Sequence, residues 1–229
     1  MQNWPELSRS IATSSEPLPG ARPLLRGVLH EVGFVVACLA SIPLLVTLEG
    51  RRLVAAAVFA GSAATMLGVS TLYHRVTWSP RARPWMRRAD HAGVYLLIAG
   101  SYTPVGLLSL HGTMQRVVLA VVWCGVAAAI LTKVCWIGAR SWLSVAFGVG
   151  IGWVGVAALP QLARSAGLAA VALLAAGGVA YTAGAIVYAR RKPDPVPSIF
   201  GYHELFHAFT LVALVCQYVA IAFFVVRVD

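Results

Sequence analysis

The sequence predicts an all-α membrane protein, a seven-transmembrane helix bundle with its N-terminus cytoplasmic, and three observations carry that prediction. Of 229 residues, 59% are hydrophobic and only 11% charged, with a mean hydropathy of +0.78, too apolar for a domain whose surface faces water. Apolar runs of about 20 residues, enough to cross roughly 30 Å of hydrocarbon, recur near 28–48, 53–74, 90–110, 116–136, 141–161, 167–189 and 203–226. The basic residues are unevenly placed. With the N-terminus inside, the cytoplasmic side carries Arg9, Arg22, Arg26, Arg75, Arg81, Arg83, Arg87, Arg88, Lys133, Arg140, Arg190, Arg191 and Lys192, and the other side only Arg51, Arg52, Arg116, Arg164 and Arg227. The positive-inside rule then fixes the orientation, and the net charge of +10 is a matter of topology rather than of nucleic-acid binding.

Residues 1–26 are polar, with Pro5, Pro17, Pro19 and Pro23 and no apolar core, and are expected to form a flexible cytoplasmic tail rather than a signal peptide or a helix. Residues 27–229 then form one seven-helix domain, because the loops between the runs are short. The first run opens with His30-Glu31, a pair too costly to face lipid, which is expected in the headgroup layer or supporting a site inside the bundle. The second ends Ser70-Thr71-Leu72-Tyr73-His74. The arginine- and proline-rich stretch from Arg75 to Arg88 reads as a loop, and the third run opens with Asp90-His91 and reaches a kink at Tyr102-Thr103-Pro104. The fourth, fifth and sixth runs contain almost no ionisable residues, and their glycines and alanines suit a closely packed scaffold. The four cysteines, Cys38, Cys124, Cys135 and Cys216, have no Cys-x-x-Cys spacing and read as small core residues.

The chemistry gathers at the last run, which begins Gly201-Tyr202-His203-Glu204-Leu205-Phe206-His207. Four helical residues turn the chain by about 400°, so His203 and His207 share a face and can hold one metal ion, and the same arithmetic joins Ser70 to His74. With seven spans and the N-terminus inside, the end of the second run and the starts of the third and seventh meet on the cytoplasmic side. His74, Asp90, His203 and His207 then lie at one membrane depth. Three neutral imidazoles with one open position make the ligand set of a catalytic Zn²⁺ site. Asp90 would orient or deprotonate the attacking water, and Ser70 would hydrogen-bond the water or a developing oxyanion. The bland alternatives are an interfacial His74, a small packing Ser70 and an Asp90 that caps its helix.

Ser70-x-x-x-His74, Asp90 followed by Tyr95-Leu-Leu-Ile-Ala-Gly-Ser-Tyr-Thr-Pro104, and His203-x-x-x-His207, in that order, resemble the haemolysin III branch of the progestin and adipoQ receptor family. The resemblance runs from about residue 24 to 226. It implies a seven-helix protein that binds Zn²⁺ through three histidines near the cytoplasmic leaflet. It also implies kinship with a superfamily that includes alkaline ceramidases, in which such a site hydrolyses a lipid amide. The eukaryotic members carry a Glu/Asn-rich motif before the first span, where this chain has only His30-Glu31.

The function expected is a Zn²⁺-dependent intramembrane hydrolase of a lipid amide or ester, serving membrane lipid homeostasis in the cell membrane, with a membrane lipid as partner and no nucleic acid. An intramembrane metalloprotease is a rival, because His203-Glu204-x-x-His207 also matches the zincin fingerprint with Glu204 as base. A non-catalytic sensor with a structural zinc is another. Pore formation ranks last, since the runs offer neither a ring of charges nor a continuous polar stripe.

Overall fold

The computed structural model describes residues 23–135 and 141–228, so most of the expected tail (1–22) and Arg140 lie outside the described residues. Among the described residues the chain forms α1 (Val28–Thr47), α2 (Gly50–Arg75), α3 (Arg83–Pro104), α4 (Gly112–Cys135), α5 (Ser141–Gly152), α6 (Leu159–Arg190) and α7 (Tyr202–Phe223). A π-helical turn, Val105–Ser109, extends α3 beyond Pro104, and short 3₁₀ turns follow α5 and α7. Six helical stretches are long and apolar enough to cross a membrane: Val28–Thr47, Gly50–Arg75, Arg83–Ser109, Gly112–Cys135, Val145–Arg190 and Tyr202–Arg227. The chain is therefore a multi-pass membrane protein.

The count of six arises because the expected fifth and sixth runs fall in one helical stretch of 46 residues. At 1.5 Å per residue that stretch would be about 70 Å long if straight, more than twice the hydrocarbon thickness. It is not straight. The helix tightens to a 3₁₀ turn over Val154–Ala158, and Gly167 leaves helical geometry at φ 84° and ψ 167°, a conformation open to glycine and to few other residues. The polar residues around Arg164 are helical rather than a loop. Pro160, in the first turn of α6, needs no backbone donor there, and the Ser165 hydroxyl donates to the Ser109 carbonyl at 3.0 Å.

A second departure concerns α3. The helix begins at Arg83, with Pro84 in its first turn, so Arg83–Arg88 is helical and not part of a loop. Asp90 consequently lies about two turns inside α3, and helix capping does not explain it. Cys124 and Cys135 are exposed rather than in the core, while Cys38 and Cys216 are partly buried.

α3 sits between two cores. Tyr95 and Ala99 pack with Val118 and Val122 of α4, Ile151 of α5 and Leu162 of α6, whereas Leu97 packs with Phe59, Met66 and Leu67 of α2 and Ile221 of α7. The approach to α2 is tight enough that a Cβ on Gly100 would overlap the Ser62 hydroxyl. The expected kink is a joint as well. The Tyr102 hydroxyl donates to the Gly152 carbonyl at 2.6 Å and accepts from the Gly155 N–H at 2.8 Å, tying α3 to the break after α5.

Candidate metal centre

Three imidazoles converge where the end of α2 meets the start of α7. The register of α7 is set by its first turn: the Glu204 carboxylate accepts the Gly201 N–H at 2.9 Å, and Asp194 accepts the Tyr202 N–H at 2.7 Å. That fixes His203 and His207 one turn apart on the face that meets His74 at the end of α2. One nitrogen from each of His74, His203 and His207 lies within 4.8 Å of the others. The Nε2 atoms of His74 and His203 are 3.2 Å apart. His74 and His207 are buried, and so is the close packing around them: a Cβ on Gly27, which has φ 82°, would sit only 2.7 Å from the His74 Cβ. Together the three side chains could hold a metal ion.

Behind the imidazoles lies a buried polar chain. His30 of α1 stacks on His207, with ring centroids 3.7 Å apart and planes 9° from parallel. Its Nδ1 lies 2.8 Å from the Ser70 Oγ, and Ser70 in turn hydrogen-bonds the Asp90 side chain. Ser70 has one hydroxyl proton; given to the carboxylate, it leaves His30 to donate from Nδ1 and keep a lone pair on Nε2. That Nε2 atom is buried and has no hydrogen-bond partner. Asp90 is not among the atoms that converge with the three imidazoles.

His203, His207, His30, Ser70 and Asp90 all line one cavity of about 750 Å³, which continues between α3, α4, α5 and α6 to Leu110 and Val118 at the far end of the bundle. Along most of its length the wall is apolar. Among the described residues its only carboxylate is Asp90.

Glu204 does something else. It is 1% exposed, lies outside the cavity wall, and forms an ion pair with Arg26 besides receiving the Gly201 N–H. Arg26 arrives on a short stretch that is fastened to the loop before α7, with the Leu24 and Leu25 N–H groups donating to the Ser198 and Ile199 carbonyls at 3.0 and 3.1 Å. The glutamate thus staples residues 23–26 to the start of α7. Glu31, by contrast, pairs with Arg75 at 2.9 Å in a half-exposed contact between the ends of α1 and α2.

The structure brings together His74, His203 and His207, and joins Ser70 to Asp90 behind them, with Asp90 outside the converging set. Spacing could not place His30 against His207, because stacking between α1 and α7 depends on packing across the bundle. Nor could it show that His91 and Lys133 face the same cavity. The signal for His30 was energetic: an ionisable side chain inside an apolar run.

A family model for haemolysin-III-related proteins matches residues 20–218. The chain is 29% identical to a hemolysin-3 homolog of Bacillus subtilis (strain 168) over 213 residues, which cover 90% of this chain and 95% of that protein. It is 27% identical to hemolysin-3 of Bacillus cereus over 206 residues, 88% of this chain and 91% of that protein. With a match of that extent, ending only beyond the last of the three histidines, the chain belongs to the haemolysin III branch of the progestin and adipoQ receptor family.

Proposed function

We propose that the protein is a Zn²⁺-dependent intramembrane hydrolase acting on an amide or ester bond of a membrane lipid. The observation that carries the reading is the meeting of the His74 and His203 Nε2 atoms 3.2 Å apart, beside a largely apolar cavity that His203 and His207 line. Two lone pairs so close repel unless a proton or a cation lies between them. Tetrahedral ligands at the usual Zn–N length of about 2.0–2.1 Å stand roughly 3.3–3.4 Å apart, so the pair fits zinc, and His207 supplies a third nitrogen. His74, His203 and His207 would hold the ion. Bound there, Zn²⁺ supplies Lewis acidity, polarising a substrate carbonyl and bringing the pKa of water to about 7.

The remaining work falls to the chain's own side chains. Asp90, on the same cavity wall, takes the proton from the attacking water and delivers it to the leaving amine or alkoxide. Ser70 holds the Asp90 carboxylate by its hydroxyl, and His30 holds Ser70 from Nδ1. The apolar walls between α3 and α6 take the acyl chain and keep bulk water from the reacting carbonyl.

Two rivals are less well supported. A structural zinc would be closed by a fourth protein ligand, and Asp90 lies outside the converging set. A zincin-type protease needs Glu204 free beside the metal, and Glu204 is occupied by Arg26 and the Gly201 N–H. The topology that accompanies this reading is seven spans with a cytoplasmic N-terminus, placing the histidines at the inner leaflet. Fusing a reporter to each end of the chain checks it.

The catalytic reading is tested by incubating purified protein with liposomes containing lipid amides and esters and measuring released fatty acid. Wild type should release it and Asp90→Asn should be slower by about 10²–10⁴-fold. Equal rates for the two would refute the assignment of Asp90.

A further inference from the structure

One face of α3 changes character along its length. Arg83 and Arg87 stand one turn apart, and Asp90 and His91 follow on the next turn of the same face. Beyond them the face is mostly apolar, with Val94, Tyr95, Ile98 and Val105 alongside Ser101 and Tyr102, and all of these residues line the same cavity. The mouth end is completed from a second helix by Lys133, in the last turn of α4, whose charge lies within electrostatic reach of Arg87.

These cations outnumber the carboxylates beside them: Asp90 lies within electrostatic reach of Arg87 and is the one acid among the described residues of the wall. Among the described residues the other carboxylates near this end are committed elsewhere: Glu31 to Arg75, Glu204 to Arg26, and Asp194 to the Tyr202 N–H. Among the described residues Asp90 alone remains on the wall, hydrogen-bonded to Ser70 with Arg87 nearby. Arg88 lies over the Trp85 ring at 4.2 Å, whereas among the described residues neither Arg87 nor Lys133 is in an ion pair with a carboxylate. The positive-inside rule explains basic residues at this end of the bundle, but not two that line a cavity from different helices.

We propose that Arg87 and Lys133 form a phosphate-binding site at the mouth of the cavity, so that the ligand is a phosphate-bearing amphiphile with its acyl chain along the apolar face of α3. The spacing suits such a molecule. Arg87 lies about 4.5 Å along the helix axis from Asp90, a rise that two or three carbons between a phosphate and an acyl linkage can cover. Guanidinium and ammonium groups are the usual partners of phosphate oxygens, and a partly desolvated site strengthens both contacts. The proposal deepens the hydrolase reading by naming the headgroup of its lipid, and its test does not depend on turnover.

The test is binding by native mass spectrometry to full-length, chelator-treated protein in detergent, with oleoyl lysophosphatidic acid, mono-oleoylglycerol and inorganic phosphate as probes. The lysophosphatidic acid should bind at least about 10-fold tighter than the uncharged glyceride. Arg87→Gln/Lys133→Gln should bring the two within about twofold, while Arg87→Lys/Lys133→Arg and the opposite-end control Arg51→Gln/Arg116→Gln keep the preference. Unchanged metal content before chelation reports that the glutamine variant is folded; if it is not, Lys133→Gln alone, at a half-exposed position, should still reduce the preference several-fold. Equal binding of the two amphiphiles to wild type, or a preference that survives the glutamine substitutions, overturns the site. Competition by inorganic phosphate at the concentration of the lysophosphatidic acid makes it an ion site and overturns the lipid assignment. Because binding is read without metal, loss of hydrolysis elsewhere leaves this result standing, and the reverse.

Discussion

α3 and α4 are neighbours of similar length, and they divide the work of the bundle in opposite ways. In its most apolar window, the α3 stretch is 61% buried within the protein, although it is the least hydropathic of the six candidate spans; the more apolar α4 is 22% buried. In a water-soluble bundle the more apolar helix would be the more buried. Here the outer solvent is hydrocarbon, so Val117 and Val121 of α4 can face outward at no cost, while Asp90, Ser101 and Thr103 of α3 must find partners inside. Ser101 and Thr103 return their hydroxyls to carbonyls of their own helix, and Asp90 turns to Ser70. A polar helix in the centre is where a membrane protein can keep a reactive carboxylate. α1 sharpens the contrast, since it is highly apolar yet fully buries only His30 and Leu44.

The comparison can be broken at graded cost. The largest effect is expected within the site: relative to the 10²–10⁴-fold loss expected for Asp90→Asn, Glu204→Gln should lower hydrolysis less than tenfold and leave metal content unchanged, measured on the same liposomes. A loss for Glu204→Gln as large as that for Asp90→Asn would restore the protease reading. His30→Ala, on α1, should weaken metal affinity by about 10–100-fold in a chelator competition, because Ser70 loses one of its two partners and His207 its stacked ring. An unchanged affinity would make His30 mere packing. Gly100→Ala, at the closest approach of α3 to α2, should cost about 1–3 kcal/mol in thermal or denaturant unfolding, since the added methyl meets the Ser62 side chain. The smallest effect belongs to α4, where Val121→Ala, outward-facing, should change stability by less than about 0.5 kcal/mol in the same assay. Equal costs for Gly100→Ala and Val121→Ala would erase the distinction between the two helices.

What could be read from the sequence follows from which forces are local. Apolar runs of bilayer length are local, and six stretches that can cross a membrane lie over them. The four-residue spacings of Ser70 with His74 and of His203 with His207 are local too, and the helical turn makes them adjacent. Breaks inside apolar stretches are less visible. The bend after α5 depends on Tyr102 reaching across from α3 to Gly152 and Gly155, and the polar residues near Arg164 look like a loop although they are helical up to the kink at Gly167. The start of α3 was masked by its own composition, because arginines and prolines suggest a loop even where Pro84 begins a helix. His30 stacked on His207, Glu204 held by Arg26, and Lys133 facing Arg87 are meetings between helices distant in sequence. No single-chain periodicity encodes them.

The central claim is that α2 and α7 share one metal ion. Elemental analysis of detergent-purified protein tests it directly, on wild type and on His74→Ala, His203→Ala and His207→Ala. The account predicts about one zinc per chain in wild type and its loss in each variant, including His74→Ala, which lies 129 residues from His203 in sequence. Wild type without stoichiometric metal, or His74→Ala that keeps its full complement, would contradict it.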